Sequence, residues 1–123
     1  MSSNVIKNND EVIANKSRDL LKRIPTKKNR KQVENALEYS IKMHEGQVRK
    51  SGLPFVSHCI DVANILVDWN MDVTTVASAL LHDTVEDTDV TIEKIKESFG
   101  DDIAFLVDGV TKVDNIIFKS EEH

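Results

Sequence analysis

Residues 73–87 read Val-Thr-Thr-Val-Ala-Ser-Ala-Leu-Leu-His-Asp-Thr-Val-Glu-Asp, and this stretch decides the predicted fold. Apolar residues recur at helical spacing from Val73 to Leu81, which predicts an amphipathic helix over about residues 73–86. One face of this helix carries a small residue and three polar residues at helical spacing, namely Ala79, His82, Asp83 and Glu86. Burying such polar groups costs on the order of several kcal/mol unless each finds a partner, and a divalent cation would satisfy all of them.

A second imidazole is expected from the preceding helix. Ser57 is predicted to cap that helix over residues 58–70, which places His58 in its first turn. A tight turn at residues 70–72 would make the two helices antiparallel neighbours, so that His58 could join His82 and Asp83 around a cation. The alternative is that His82 is an exposed residue at the helix end and interacts only with Glu86.

Helical periodicity extends along the rest of the chain, which has only 4 Gly and 2 Pro and no period-two alternation. It predicts helices over residues 10–24 and about 30–45, a fifth helix from a Thr91 cap to Gly100, and a sixth from Asp101 or Asp102. The pattern fades after Val113, and residues 119–123 are expected to fray. We therefore predict an all-α helical bundle. An N-terminal helix and basic connector at residues 1–29 would precede the main domain at 30–123.

Several other residues are assigned to packing. His44 continues the apolar stripe of the second helix. We therefore expect it to lie in the core or to contact a metal-binding residue, and not to bind the metal itself. Cys59 is expected to be a small buried hydrophobe. Trp69 and Phe55 are expected in the core, although Phe55 could instead wall a pocket.

A Gly- and Pro-containing loop over residues 46–55 carries Arg49, Lys50 and Ser51. Two adjacent cations beside a hydroxyl and a flexible glycine suit a clamp for phosphate or nucleotide. The other interpretation is that these are solvated surface residues.

Charge is distributed unevenly around a net value of -5. Residues 1–50 carry a balance of +6 and residues 51–123 a balance of -11. The acidic part argues against direct nucleic-acid binding, because that function needs clustered Lys and Arg. It could hold a cation, or much of its charge could be solvated helix surface.

The sequence shows no apolar run near the ~20 residues that a membrane-spanning helix needs, so no membrane association is expected. The opening residues lack the apolar stretch of a signal peptide. The single cysteine, Cys59, forms no internal disulfide and fits a reducing compartment. The cytoplasm is therefore the expected location.

Three runs of this sequence, at residues 44–58, 80–88 and 99–112, resemble the N-terminal hydrolase domain of RelA/SpoT-type alarmone enzymes. The similarity covers residues 30–120. It implies an HD-type helical bundle and hydrolysis of guanosine 3′,5′-bis(diphosphate) and its pentaphosphate relative, together (p)ppGpp, with loss of the 3′ pyrophosphate and with Mn²⁺ as the cofactor.

The resemblance also implies roles for individual residues. Three positions match metal ligands of the family: His58, His82 and Asp83. Glu86 and Asp87 match the acidic pair of its hydrolase-competent members, and they would orient the attacking water and take its proton. Arg49 and Lys50, with Ser51 beside them, match the lining of the nucleotide pocket.

The sequence departs from the family in two respects. Phe55 stands where Tyr is common, and a fourth ligand, the Asp of a motif resembling Asp-Arg-x-His-Asn, has no counterpart before His123. We therefore expect a short or truncated form of the domain. The alternatives are a non-catalytic remnant that binds nucleotide or a partner, and a phosphohydrolase for another nucleotide such as NADPH. A homo-oligomer or an association with a full-length family member is possible in each case.

Overall fold

The computed structural model describes the backbone of residues 3–121 and the side chains of residues 9–112. The described residues form six helices and no strand, which confirms the all-α prediction. The helices are α1 (Ser3–Lys22), α2 (Lys27–Met43), α3 (Phe55–Asp68), α4 (Val73–Asp87), α5 (Ile92–Phe99) and α6 (Asp101–Glu121).

Helix α4 lies at the centre of the bundle and packs against α2, α3 and α6. The stripe residues Val76, Ala77, Leu80 and Leu81 are buried as predicted, and Ser78 and Ala79 between them are buried as well, because helices pack on more than one side of α4. The fully buried large side chains come from all six helices and include Leu20, Leu37, Ile60, Leu80, Leu81, Ile95 and Ile103. Helix α4 is therefore held in place by three neighbouring helices.

The turn between α3 and α4 makes these helices neighbours, as predicted. Asn70 adopts a left-handed φ of 58°. Its backbone N–H donates to the carbonyl of Val67 at 3.0 Å, and that of Met71 donates to Leu66 at 3.0 Å. This is the Schellman arrangement that satisfies the last carbonyls of a helix. Asp72 then caps α4, because its carboxylate accepts a 2.9 Å hydrogen bond from the Thr75 backbone N–H.

Helix α3 begins three residues earlier than predicted, and the Ser57 cap was wrong. Pro54 occupies the N-cap position with φ -63° and ψ 141°, and the helix starts at Phe55 without a side-chain cap. The proline ring fixes φ and sets the extended entry. Ser57 lies buried in the first turn, where its backbone N–H donates to the carbonyl of Pro54.

The ends of the chain also differ from the predicted bounds. Helix α1 starts at Ser3, and α6 continues to Glu121 through the segment that was expected to fray, while residues 122 and 123 lie outside the described part. Leu20 of α1 belongs to the same core cluster as Leu80 of α4. The Thr91 cap and the end of α5 at Gly100 are confirmed.

Trp69 was wrongly expected in the core. Its surface is 67% exposed. It caps the C-terminus of α3, where the chain leaves the bundle, so its side chain lies beyond the last turn that faces α4.

Among the described residues, no helix is long and apolar enough to cross a membrane.

Candidate active site

His82 and Asp83 lie side by side near the end of α4, with 15% and 13% of their side chains exposed. His82 Nδ1 is 2.8 Å from the carbonyl oxygen of Ala79. A carbonyl oxygen only accepts hydrogen bonds, so Nδ1 must carry the proton. The other ring nitrogen, Nε2, lies 3.0 Å from Asp83 Oδ1. The helix backbone thus fixes both the tautomer and the direction of the imidazole.

This arrangement requires a positive charge. In a neutral imidazole protonated on Nδ1, the lone pair of Nε2 would face the negative carboxylate oxygen. That contact is favourable only when Nε2 is protonated or when a metal cation takes up both lone pairs. The donor set of one imidazole and one carboxylate fits a divalent cation such as manganese, iron or zinc. The side chains of His82 and Asp83 therefore have the chemistry that binding of a divalent cation needs.

Asp83 stays ionised although it is largely buried. Burial is the largest influence and raises the pKa of its carboxyl. The hydrogen bond and charge of His82, the hydrogen bond from Cys59 and the charge of His44 outweigh it, so the pKa lies below its ordinary value. The carboxylate is thus kept in the form that binds a cation.

Cys59 of α3 is fully buried, as expected, but it does more than fill space. Its Sγ lies 3.3 Å from Asp83 Oδ2 and donates a hydrogen bond to it. Burial, followed by the charge and hydrogen bond of Asp83, raises the pKa of the thiol far above its ordinary value. Cys59 is therefore a protonated donor to the carboxylate.

The acidic pair follows on the last turn of α4, where both Glu86 and Asp87 are exposed. Burial and the charge of Asp83 raise the pKa of the Asp87 carboxyl, and the charges of His44 and His82 oppose this only in part. A carboxylate whose pKa is moved toward neutrality is a better proton acceptor near neutral pH. The end of α4 thus places the His82–Asp83 pair one turn from a carboxyl group whose pKa is raised.

His58 is exposed on the first turn of α3. Within residues 9–112, no three His, Cys, Asp or Glu side chains are arranged so that they could hold one metal ion. The structure brings His82 and Asp83 together and leaves His58 outside that pair. The role of His58 as a ligand stays a prediction.

The predicted phosphate clamp forms the tip of a short hairpin. The backbone N–H of Gly52 donates to the carbonyl of Arg49 at 2.8 Å, and Arg49 N–H donates to Leu53 at 2.9 Å. Gly52 has a φ of 89°, which a residue with a side chain rarely adopts. Arg49, Lys50 and Ser51 are all exposed at this tip. Their side chains are accessible to a ligand, and their assignment as substrate contacts stays a prediction.

Gln47 joins this hairpin to the end of α4, and the sequence did not single it out. Its Nε2 donates to the Asp87 carbonyl at 3.3 Å, and its Oε1 lies 3.1 Å from His44 Nδ1. The sequence signal that could have identified Gln47 is its position between His44 and the basic residues.

His44 is 3% exposed, as a core histidine should be, and its ring packs on Phe55 with centroids 5.1 Å apart. Phe55 thus packs against the buried histidine at the base of the hairpin.

Comparison with known proteins identifies similar chains. A probable GTP pyrophosphokinase of Mycobacterium leprae is 50% identical over 88 residues, which cover 72% of this chain and 11% of the relative. A guanosine-3′,5′-bis(diphosphate) 3′-pyrophosphohydrolase of Aquifex aeolicus is 47% identical over 91 residues, covering 74% and 13%. The bifunctional (p)ppGpp synthase/hydrolase SpoT of Escherichia coli is 43% identical over 79 residues, covering 64% and 11%.

The chain thus spans only 11% to 13% of the length of these three relatives. Residues 36–122 match the family described as HD domain, which is an all-helical fold whose hydrolases use a divalent metal. That match contains α3, α4, α5 and the His82–Asp83 pair. The chain belongs to the HD domain family.

Proposed function

We propose that this chain hydrolyses the 3′ pyrophosphate of (p)ppGpp. The observation that carries the proposal is the His82–Asp83 pair, whose imidazole tautomer is fixed by the Ala79 carbonyl and whose geometry calls for a positive charge that a bound cation would supply. Relatives named as (p)ppGpp 3′-pyrophosphohydrolases are similar to this chain at 46% to 47% identity. The basic hairpin, which Gln47 attaches to the Asp87 carbonyl at the end of α4, supports a phosphate-rich substrate.

His82 and Asp83 would hold the cation, with His58 as a further proposed ligand. We propose Mn²⁺, as the resemblance to alarmone hydrolases implies; the carboxylate of Asp83 suits this ion, although iron or zinc would also fit an imidazole and a carboxylate. When bound, a divalent ion lowers the pKa of water and offsets phosphate charge. The residues of the chain supply the rest of the chemistry: orientation of the nucleotide, acceptance of a proton and release of the product.

Asp87 and Glu86 would orient the attacking water and accept its proton, and the raised pKa of Asp87 suits this role. The water oxygen adds to the phosphorus that is joined to the 3′ oxygen. That phosphorus–oxygen bond breaks, the 3′ oxygen takes up a proton, and pyrophosphate leaves. Arg49 and Lys50 would hold the phosphates, since the surrounding carboxylates repel them.

The decisive experiment compares matched variants of the full chain. Mn²⁺ binding is measured by calorimetry, and pyrophosphate release is measured from ppGpp. Replacement of His82 or Asp83 with Ala should abolish Mn²⁺ binding, whereas Glu86→Gln should keep the metal and lose turnover. Tight binding of Mn²⁺ by the His82→Ala protein would refute the ligand assignment.

A second candidate is a domain that binds nucleotide without turnover. The observation that favours it is that the residues with described side chains contain no cluster of three possible metal ligands. Binding of ppGpp without metal and without pyrophosphate release would support it. Bound metal without ppGpp hydrolysis would direct the assay to other nucleotides, such as NADPH. The proposed location is the cytoplasm, and self-association or binding to a full-length family member stays a prediction.

A further inference from the structure

The two oxygens of the Asp83 carboxylate are engaged from two different helices. Oδ1 faces His82 Nε2 of the same helix at 3.0 Å, and Oδ2 accepts from the Cys59 thiol of α3 at 3.3 Å. The thiol is the donor because an ionised carboxylate can only accept. Cys59 is the only cysteine of the sequence and is fully buried. The contact therefore connects α3 to the carboxylate on α4.

Such a contact restricts the carboxylate. A free Asp carboxyl group rotates broadly about its last torsion, since that torsion has no sharp minima. A donor on Oδ2 keeps Oδ1 turned toward His82 Nε2. Hydrogen-bond partners of metal ligands commonly change metal affinity by about 10- to 100-fold.

We propose that Cys59 is a positioning residue that orients Asp83 for cation binding. The proposal rests on the proposed function, in which Asp83 is a ligand. A positioning role can be distinguished from a role in packing alone, because two substitutions of Cys59 should affect the two roles in opposite ways. Cys59→Ser keeps a hydrogen-bond donor and adds polarity, whereas Cys59→Val keeps an apolar side chain and removes the donor.

The first test measures the affinity for Mn²⁺ by calorimetry in the full chain. We expect Cys59→Val to weaken binding by about tenfold or more. Cys59→Ser should stay within about threefold of the parent. Asp61→Asn, an exposed carboxylate two positions along α3, is the control and should not change the affinity. Parent-like binding by Cys59→Val, or equal weakening in both cysteine variants, would overturn the proposal.

The second test needs no metal. A double-mutant cycle compares the urea midpoints of the parent, Cys59→Val, Asp83→Ala and the double variant without added Mn²⁺. If the thiol donates to the carboxylate, Cys59→Val should lower the midpoint clearly less in the Asp83→Ala background than in the parent. In the Asp61→Asn background, the effect of Cys59→Val should be the same as in the parent.

The two tests separate the possible failures. If the parent chain binds no Mn²⁺ but the effect of Cys59→Val is smaller in the Asp83→Ala background, the proposed function fails and the Cys59–Asp83 contact is still supported. If Cys59→Val has the same effect in both backgrounds, the contact is absent and the positioning role is overturned, whatever the affinity for metal.

Discussion

Gln47 Nε2 donates a 3.3 Å hydrogen bond to the backbone carbonyl of Asp87, a residue 40 positions farther along the chain. This contact joins the hairpin that carries Arg49 and Lys50 to the last turn of α4. The contact thereby connects the basic and acidic parts of the proposed site. Gln47 also contacts His44, so the same side chain connects the buried imidazole to the hairpin.

Removing this contact should weaken both folding and nucleotide binding. Gln47→Ala is expected to lower the free energy of unfolding by about 1 kcal/mol, the usual net value of one hydrogen bond. It should also raise the dissociation constant for ppGpp about fivefold, because the hairpin loses its attachment to α4. Urea unfolding and calorimetry measure the two effects. Gln32→Ala on α2 is the matched control, and equal effects in both variants would contradict the assignment.

Asp87 should lower stability at neutral pH. Its pKa in the folded protein is raised above 3.8, so folding favours the protonated form. The protonated Asp87 carboxyl makes its full contribution to the stability of the folded state below about pH 3.8. This contribution is lost as the pH rises through the pKa of the folded protein. Asp87→Asn should therefore raise the urea midpoint near neutral pH and lose this advantage in acid. Asp89→Asn controls for the removal of one negative charge, and a midpoint below that of the parent at neutral pH would contradict the prediction.

Asp72 should have the opposite pH dependence. The hydrogen bond from the Thr75 N–H lowers the pKa of this cap below 3.8. Its stabilising effect is present above pH 3.8 and is lost as the pH falls through the folded pKa. Asp72→Ala should cost about 1 kcal/mol near neutral pH, as for other helix caps. Asp72→Asn keeps a capping oxygen and should retain most of the stability. The free energy of unfolding as a function of pH distinguishes these outcomes.

Helix α1 should be an integral part of the fold. Leu20 is fully buried in the common core, and Lys16 forms a 2.7 Å ion pair with Asp61 of α3. Leu20→Ala should lower the free energy of unfolding by about 2 to 5 kcal/mol, because it leaves a cavity. The control Leu53→Ala removes a leucine that is largely solvated and should cost much less. Similar losses in the two variants, measured by urea unfolding, would show that α1 packs only loosely.

Local features of the sequence determined most of the helices and one face of the site. The period of 3.6 residues places His82, Asp83 and Glu86 together on α4 whatever the rest of the fold does. The same period predicted that His44 lies on the buried stripe of α2, and it is 3% exposed. The Thr91 cap was also predictable, because its hydroxyl bonds the Lys94 N–H of the next turn.

Only the tertiary structure decided how these helices present their side chains to one another. The contacts of Cys59 with Asp83 and of Gln47 with Asp87 join residues 24 and 40 positions apart. Such contacts depend on the rotation and separation of packed helices, which periodicity does not specify. For the same reason, Trp69 was assigned to the core although it lies outside the packed face. Hydrophobic spacing fixes which side of a helix is buried, whereas packing fixes which neighbour each buried atom meets.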